Sequence, residues 1–225
     1  SVGRPTARSL RSIFGVGIPS ALGTLLFDLD YIVVDKLMVG YGNVALASIG
    51  IVLKAERLPL NVGIGLCQGM MPLVAYSYAA GNHKRMNDTI RYARLTGLLT
   101  AAVSIVLYEL LAPSIMRLFI LDAGTIALGT DFLRIRILAT PFMFLSFFTV
   151  YLFQAFGEGR ASLFLGVMRW LMLNIPMLFF LNALAGMYGI VWSQIIADVI
   201  NVGISLLVYA RYKQRLSVLR IEADD

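Results

Sequence analysis

Residues 28–36 read DLDYIVVDK and place three aspartates in an otherwise apolar stretch that runs from near residue 13 to near residue 40. A stretch of this length can cross a bilayer, because a helix spans the hydrocarbon core with ~20 mostly apolar residues. A charge at the centre of such a helix costs about 2.5–3.5 kcal/mol even on insertion scales. Carboxylates at this depth therefore indicate a function. Asp28, Asp30 and Asp35 are our candidates for a functional site in this segment.

The helical period places these aspartates on different faces. Asp28 and Asp35 are seven residues apart, about two turns, and share a face, whereas Asp30 lies about 200° round from Asp28. Asp28 is near mid-depth and Asp35 is about 10 Å further along, close to an interface. Simpler roles stay open, since Asp35 could reach the interface or pair with Lys36, and Asp28 could hydrogen-bond to a neighbouring helix. Asp30 has the least defined role.

Further polar side chains interrupt the apolar segments downstream and are candidates for a substrate pathway. They are Glu56, Gln68, Tyr76, Gln154, Arg169, Asn174 and Asp198. Glu56 can pair with Lys54 or Arg57, which makes a plain ion pair an equal alternative. Arg169 and Asp198 are opposite charges on neighbouring segments, and we expect a structural ion pair between them.

The composition excludes several classes of protein. The chain has 225 residues, of which 59% are hydrophobic and 14% charged, whereas soluble domains average ~25% charged residues. One cysteine and one histidine leave no intrachain disulfide and no CxxC metal site. HExxH, GxSxG, P-loop and GxGxxG motifs are absent, so no enzymatic activity is predicted. Gly65 and Gly69 form a small-xxx-small pair that is typical of close helix packing.

Six apolar segments are long enough to span a membrane, which predicts an all-α integral membrane protein with a single six-helix domain over residues 1–225. The spans lie near 12–39, 46–77, 91–113, 130–155, 160–183 and 187–210. The intervening stretch 114–129 is too short and broken to span. It is predicted to be an amphipathic helix on the membrane surface.

The basic residues in the connections and near the ends of the spans concentrate on one side of this topology. That side carries Arg4, Arg8, Arg11, Lys84, Arg85, Arg91, Arg94, Arg160, Arg211, Lys213, Arg215 and Arg220. The other side carries only Lys36, Arg117, Arg134 and Arg136. The positive-inside rule then places both termini in the cytoplasm of an integral cell-membrane protein. The net charge of +6 is thus explained by the orientation of the protein in the membrane and does not indicate a nucleic-acid partner.

Several sequence stretches together resemble one family of transporters. They are GIPSAL (17–22), VALASIGIVLKAERLP (44–59), GLCQGMMPLVAYSYAAGNHKRMND (65–88), FLRIRILATP (132–141), FQAFGEGRASL (153–163) and GIVWSQIIAD (189–198). In this order they resemble the multidrug and toxic compound extrusion (MATE) transporters. The PLVAYSYAAGN and FQAFGEGR stretches look most like the family's C-terminal half.

The resemblance implies a fold and an activity. Family members are two-lobed antiporters of twelve helices that export organic, often cationic, compounds in exchange for H⁺ or Na⁺ by alternating access. This chain would be one six-helix lobe of such a 6+6 transporter. VDKLMVG (34–40) places Asp35 in the family's aspartate context, while the family carboxylate nearest Asp28 aligns at Phe27. The resemblance makes Asp35, Asp28 and Asp30 candidates for the coupling-cation site. Binding of H⁺ or Na⁺ at Asp28 or Asp35 would weaken substrate binding, and no other cofactor and no metal is implied.

The expected partners follow from the missing half. The chain would be a C-terminal piece of a longer transporter, which we favour, or a half-size chain that pairs with a second copy. It would contact the lipid bilayer, an organic cation, and the N-terminal lobe or that second copy. Two alternatives stay open: a flippase for lipid-linked substrates, and a non-transporting membrane scaffold. A scaffold would use its polar residues pairwise between packed helices, and a flippase would have a cavity lined with basic residues.

Overall fold

All regular secondary structure in the described part of the chain is helical, as predicted. The computed structural model describes the backbone of residues 7–224 and the side chains of residues 14–15, 17–18 and 21–212. The elements are α1 (Ala7–Val39), α2 (Asn43–Ala79), α3 (His83–Arg117), α4 (Ala123–Ile137), α5 (Thr140–Ala155), α6 (Gly159–Val167), a π-helical segment (Met168–Asn174) and α7 (Ile175–Asp224).

Helices lie over the predicted spans, and the span 130–155 is broken between α4 and α5. Among the described residues, three helical stretches are long and apolar enough to cross a membrane: Asn43–Ala79, His83–Arg117 and Gly159–Tyr212. The α4–α5 pair could be a fourth span. That pair bends by 46°. The stretch Gly159–Tyr212 contains two predicted spans, because α7 is interrupted at Gly186.

The break in α7 is a sharp reversal of the chain. Gly186 has φ 61° and ψ −140°, a conformation that is essentially restricted to glycine. A Cβ atom on Gly189 would lie 1.9 Å from the carbonyl oxygen of Leu181. The two arms of α7 therefore touch backbone to backbone beside the break. Tyr41, at the end of α1, donates a 2.6 Å hydrogen bond to Oδ1 of Asn182 next to this turn.

The stretch 114–129 is divided between two helices and is not one amphipathic helix. The third helix continues to Arg117, and α4 begins at Ala123. Asp122 starts α4, because its Oδ2 accepts 2.8 Å hydrogen bonds from both the backbone N–H and the hydroxyl of Thr125. These hydrogen bonds hold the pKa of Asp122 below its ordinary value.

The second helix is at the centre of the packing and contacts α3, α4 and α5, while α1 packs against α6 and α7 packs against the π segment and α5. The closest approach of α3 and α5 is at Gly97, where a Cβ atom would lie 1.8 Å from the ring of Phe144. The expectation for Gly65 and Gly69 is wrong within this lobe, since a Cβ atom at either position would meet no atom within 4 Å.

Large apolar side chains cover much of the outer surface, as expected for a lobe surrounded by lipid. On α3 the exposed side chains are Leu95, Leu99, Val103, Val106, Leu107, Leu110 and Leu111. By contrast, the interior of the lobe buries ionisable side chains and amides, among them Asp30, Glu56, Arg136, Arg169, Asn174 and Asp198. Several candidate functional groups therefore lie in the interior of the lobe.

Candidate functional site

The three aspartates of α1 lie in different surroundings. Asp30 is completely buried, with 0% of its surface exposed, whereas Asp28 is exposed and Asp35 is half-buried. Asp28 and Asp35 share a face, as predicted, and line an open cleft of about 570 Å³ between α1 and α2. Among the described residues Asp35 forms no ion pair with Lys36, and its Oδ1 has no hydrogen-bond partner.

Asp30 is the first member of a buried polar network that links α1, the π segment and α7. Its Oδ1 accepts a 2.7 Å hydrogen bond from Nδ2 of Asn174, which also approaches Oε1 of Gln194 at 3.3 Å. Nε2 of Gln194 donates to Oδ2 of Asp198 at 2.6 Å. Nε of Arg169 donates to Oδ1 of Asp198 at 2.7 Å, which confirms the predicted ion pair between these two residues.

The π segment positions two members of this network. Its hydrogen bonds join residues i and i+5, so that Arg169 and Asn174, five residues apart, are neighbours on successive turns. Both side chains then point from one helix toward α1 and the second arm of α7. Such wider turns are frequent at functional sites.

Two oxygen atoms of the network have no hydrogen-bond donor. Oδ2 of Asp30 and Oδ1 of Asn174 are buried and lack a partner among the described side chains. A buried acceptor without a donor is costly, and each such case calls for an explanation. A proton on Asp30, or a small cation shared by these oxygens, would satisfy them.

Glu56 pairs with a residue other than the two expected. Its carboxylate accepts 2.7 and 2.8 Å hydrogen bonds from Nε and Nη2 of Arg136, and a third of 3.1 Å from the hydroxyl of Tyr31. Lys54 and Arg57 are exposed on another face of α2. The predicted pairing of Glu56 with these two bases is wrong, because α4 packs against α2 and brings the buried guanidinium of Arg136 to the carboxylate of Glu56.

Arg57 instead lies beside α1. Its Nη2 is 3.4 Å from Oδ1 of Asp28, and both side chains are about half exposed. The guanidinium lies over two aromatic rings, 4.8 Å from the centroid of Tyr31 and 5.7 Å from that of Phe27. A carboxylate and two ring faces thus surround one position for a cation.

A cavity of about 400 Å³ opens beside this position, between α1, α2, α5, α6 and the π segment. Its wall includes Phe27, Phe147, Tyr151 and Trp170 as aromatic members, and Asp28, Arg57, Asn61, Gln68, Gln154 and Arg169 as polar members. Gln68 donates to the hydroxyl of Tyr151 at 3.2 Å, and Gln154 donates to Oγ of Ser162 at 3.0 Å.

The structure brings five of the seven candidate pathway residues together, and the exceptions are Tyr76 and Glu56, which pairs with Arg136 apart from the others. Gln68, Gln154 and Arg169 line the cavity, whereas Asn174 and Asp198 lie in the buried network behind Arg169. Tyr76 is 69% exposed and lines neither. Sequence reasoning missed Arg136 and Trp170, although Arg136 had a signal, a basic residue inside the predicted span 130–155.

The geometry can now be compared with known proteins. A family model, MatE, matches residues 19–180. The chain belongs to the MatE family. "Multidrug export protein MepA" of Staphylococcus saprophyticus is 31% identical to this MatE lobe over 97% of the chain and 48% of its own length. The Staphylococcus haemolyticus protein of the same name is 30% identical over 96% of the chain and 47% of its own length.

Solved structures of MATE transporters have the same fold. The outward-facing conformation of a multidrug resistance MATE family transporter superimposes with a TM-score of 0.88 at 20% identity, over 97% of this chain and 49% of that one. The bent form of the Vibrio cholerae MATE transporter VcmN gives a TM-score of 0.85 at 17% identity, over 92% and 47%. The MatE chain thus spans about half the length of its relatives, which are membrane transporters and not enzymes, and its fold is one MATE lobe.

Proposed function

We propose that this chain forms one lobe of an antiporter that exports organic cations in exchange for H⁺ or Na⁺ by alternating access. The relatives named as multidrug export proteins support the export of drug-like compounds. The coupling ion would bind at Asp30, although we had expected Asp28 or Asp35 to be the principal carboxylate. The cargo would bind in the cavity beside Asp28 and Arg57.

The observation that carries this proposal is the incomplete hydrogen bonding of Asp30. Its carboxylate is buried, and only one of its two oxygens has a donor. The neighbouring acidic side chains are paired, because Asp198 binds Arg169 and Glu56 binds Arg136. Asp30 has no ion pair within the described residues and is therefore free to gain and lose a positive ion.

The difference between Asp30, which has no ion pair among the described residues, and the paired Glu56 and Asp198 counts against the scaffold alternative. A scaffold would pair all its buried charges, as the lobe does for Glu56 and Asp198. It would not retain a buried carboxylate and a neighbouring amide oxygen without donors, since each lost hydrogen bond weakens packing.

The cavity wall supports an organic cation as cargo. Aromatic faces attract cations, and the rings of Phe27 and Tyr31 already hold the guanidinium of Arg57. A planar organic cation can replace this guanidinium at the rings and at Asp28. Ion binding at Asp30 on the same helix, two residues from Asp28, would then alter the cargo position through α1.

The flippase alternative rests on the two arginines in the cavity wall. Arg57 and Arg169 would attract a phosphate headgroup if their charges were free. Each has a carboxylate partner, Asp28 at 3.4 Å and Asp198 at 2.7 Å, and Arg169 also lies over the ring of Trp170. This pairing removes the excess positive charge that an anionic cargo needs.

The remaining partner is a second lobe. MATE-like halves would be related as parallel repeats, by an axis along the membrane normal, with the cargo site between them. An N-terminal lobe or a second copy of this chain could supply the facing wall. Both termini would be cytoplasmic.

Transport by variants of the complete gene product tests the proposal. Proteoliposomes containing the protein are loaded with a fluorescent organic cation such as ethidium, and export is driven by an H⁺ or Na⁺ gradient. We expect Asp30→Asn to abolish gradient-driven export, Asp28→Asn to weaken cargo binding, and the exposed control Asp88→Asn to export normally. Asp35→Asn, run in parallel, measures the contribution of the half-buried carboxylate. Normal coupled export by Asp30→Asn would contradict the assignment.

A further inference from the structure

A groove on the outer surface between α3, α5 and α7 is separate from the transport site. Its floor and sides are mainly apolar and include Leu145, Phe148, Leu152 and Leu206. Arg94 of α3 and Tyr209 of α7 also line it. The open volume is about 70 Å³, which fits the upper part of one acyl chain rather than a bulky solute.

Arg94 and Tyr209 lie at the depth of a membrane interface, whereas the third polar side chain of the groove, Thr149, donates its hydroxyl to the backbone oxygen of Leu145. The predicted spans begin at residue 91 in α3 and end at residue 210 in α7, so Arg94 and Tyr209 are within one turn of these limits. Arg94 is exposed and has no ion pair among the described residues. It lies close enough to Tyr209 to interact with it electrostatically. Tyrosine and arginine are typical of this depth, where the apolar part is buried and the polar tip meets the headgroups.

The surrounding end of the lobe is strongly basic. The ends of α2, α5 and α7 meet there, since the ring of Phe156 is 5.1 Å from Tyr78 and 5.6 Å from Tyr212. The basic side chains on these ends and on the starts of α3 and α6 are Lys84, Arg85, Arg91, Arg160 and Arg211. A basic pocket between membrane helices complements an anionic lipid headgroup.

We propose that this groove binds one anionic phospholipid. Its phosphate accepts hydrogen bonds from the guanidinium of Arg94 and the hydroxyl of Tyr209. The upper part of one acyl chain packs along Leu145, Phe148 and Leu206. The bound lipid then links α3, α5 and α7, and this role does not depend on the transported cargo.

Native mass spectrometry of the purified protein, supplied with phosphatidylglycerol or phosphatidylcholine, tests this site. We expect one phosphatidylglycerol to be retained per chain in preference to phosphatidylcholine. Arg94→Gln should lower this retention about fivefold, the contribution of one arginine at an anionic membrane surface. Leu206→Trp should lower it similarly by filling the groove. Both residues are exposed, so these changes remove no buried contact.

Two matched controls separate a bound lipid from general attraction to a basic surface. Arg91 and Leu207 are exposed neighbours that do not line the groove. Leu207→Trp should therefore retain phosphatidylglycerol as the wild type does, and Arg91→Gln should lower its retention clearly less than Arg94→Gln. Unchanged retention in Arg94→Gln or in Leu206→Trp, or an equal loss in Arg91→Gln, would overturn the proposal.

Discussion

At the scale of single residues, two acidic side chains inside this lobe form ion pairs, whereas a third, Asp30, forms none among the described residues. Glu56 and Arg136 make two hydrogen bonds to each other, and the Arg169–Asp198 pair makes one more. Asp30 has an amide donor on one oxygen and nothing on the other. Structural pairing thus belongs to Glu56 and Asp198, and the ion loading that we propose belongs to Asp30.

The fixed pairs should matter for stability. Glu56→Gln leaves the guanidinium of Arg136 buried without a counter-ion, and breaking a buried pair on one side costs about 3–5 kcal/mol. We expect the melting temperature in detergent to fall sharply for this variant. The double variant Glu56→Gln/Arg136→Met should recover most of the loss, because no lone charge is left. A Glu56→Gln variant as stable as the wild type would show that Arg136 is already solvated.

Because Arg57 lies beside Asp28, where the cargo would bind, we expect that removing this arginine raises the affinity for an organic cation. Arg57 occupies the space over Phe27 and Tyr31 that an organic cation would use. Arg57→Gln should tighten ethidium binding several-fold by removing this internal competitor, and Asp28→Asn should weaken it. Fluorescence titration of the purified protein measures both. Weaker binding in Arg57→Gln would mean that the arginine holds the cargo itself.

The sequence indicates which residues are chemically unusual but not which of them meet. Helical period correctly assigned Asp28 and Asp35 to one face and Asp30 to another. It could not indicate which face is covered by α7 and the π segment, because that depends on tertiary packing. The same limit explains Glu56, whose partner Arg136 is 80 residues away in the chain.

At the scale of helices, close packing depends on particular glycines that the spacing pattern alone does not distinguish. Gly97 admits the ring of Phe144 between α3 and α5, and Gly189 admits the carbonyl of Leu181 across the break in α7. Gly65 and Gly69, which have the expected small-xxx-small spacing, face open space in this lobe. The positions of the helices were predictable from the apolar segments, whereas the break at Ile137–Thr140 and the π segment have no comparable periodic signal.

Two glycine replacements test this distinction. Gly97→Ala forces the buried ring of Phe144 to move, and overpacking of this kind costs about 1–3 kcal/mol. Gly69→Ala adds a methyl group in open space, where alanine favours the helix by about 0.5–1 kcal/mol. Thermal unfolding in detergent should therefore show a lower melting temperature for Gly97→Ala and an unchanged or higher one for Gly69→Ala. The reverse order would contradict the packing of α3 against α5.

At the scale of the whole molecule, the distribution of basic residues predicts the orientation. In a Cys67→Ser background, His83→Cys lies in the basic α2–α3 connection and Leu121→Cys in the opposite connection. A membrane-impermeant maleimide applied to intact cells should label Leu121→Cys and spare His83→Cys. Labelling of His83→Cys alone would place the termini outside.

The most direct measurement asks whether the buried carboxylate of Asp30 holds the coupling ion. Purified complete protein is mixed with an organic cation while released protons are followed with a pH indicator, and ²²Na⁺ binding is measured in parallel. We expect the wild type and Asp88→Asn to bind one of these ions and to release it when the cation is added, and Asp30→Asn to do neither. Ion binding and cation-induced release by Asp30→Asn at the wild-type level would contradict ion loading at this residue.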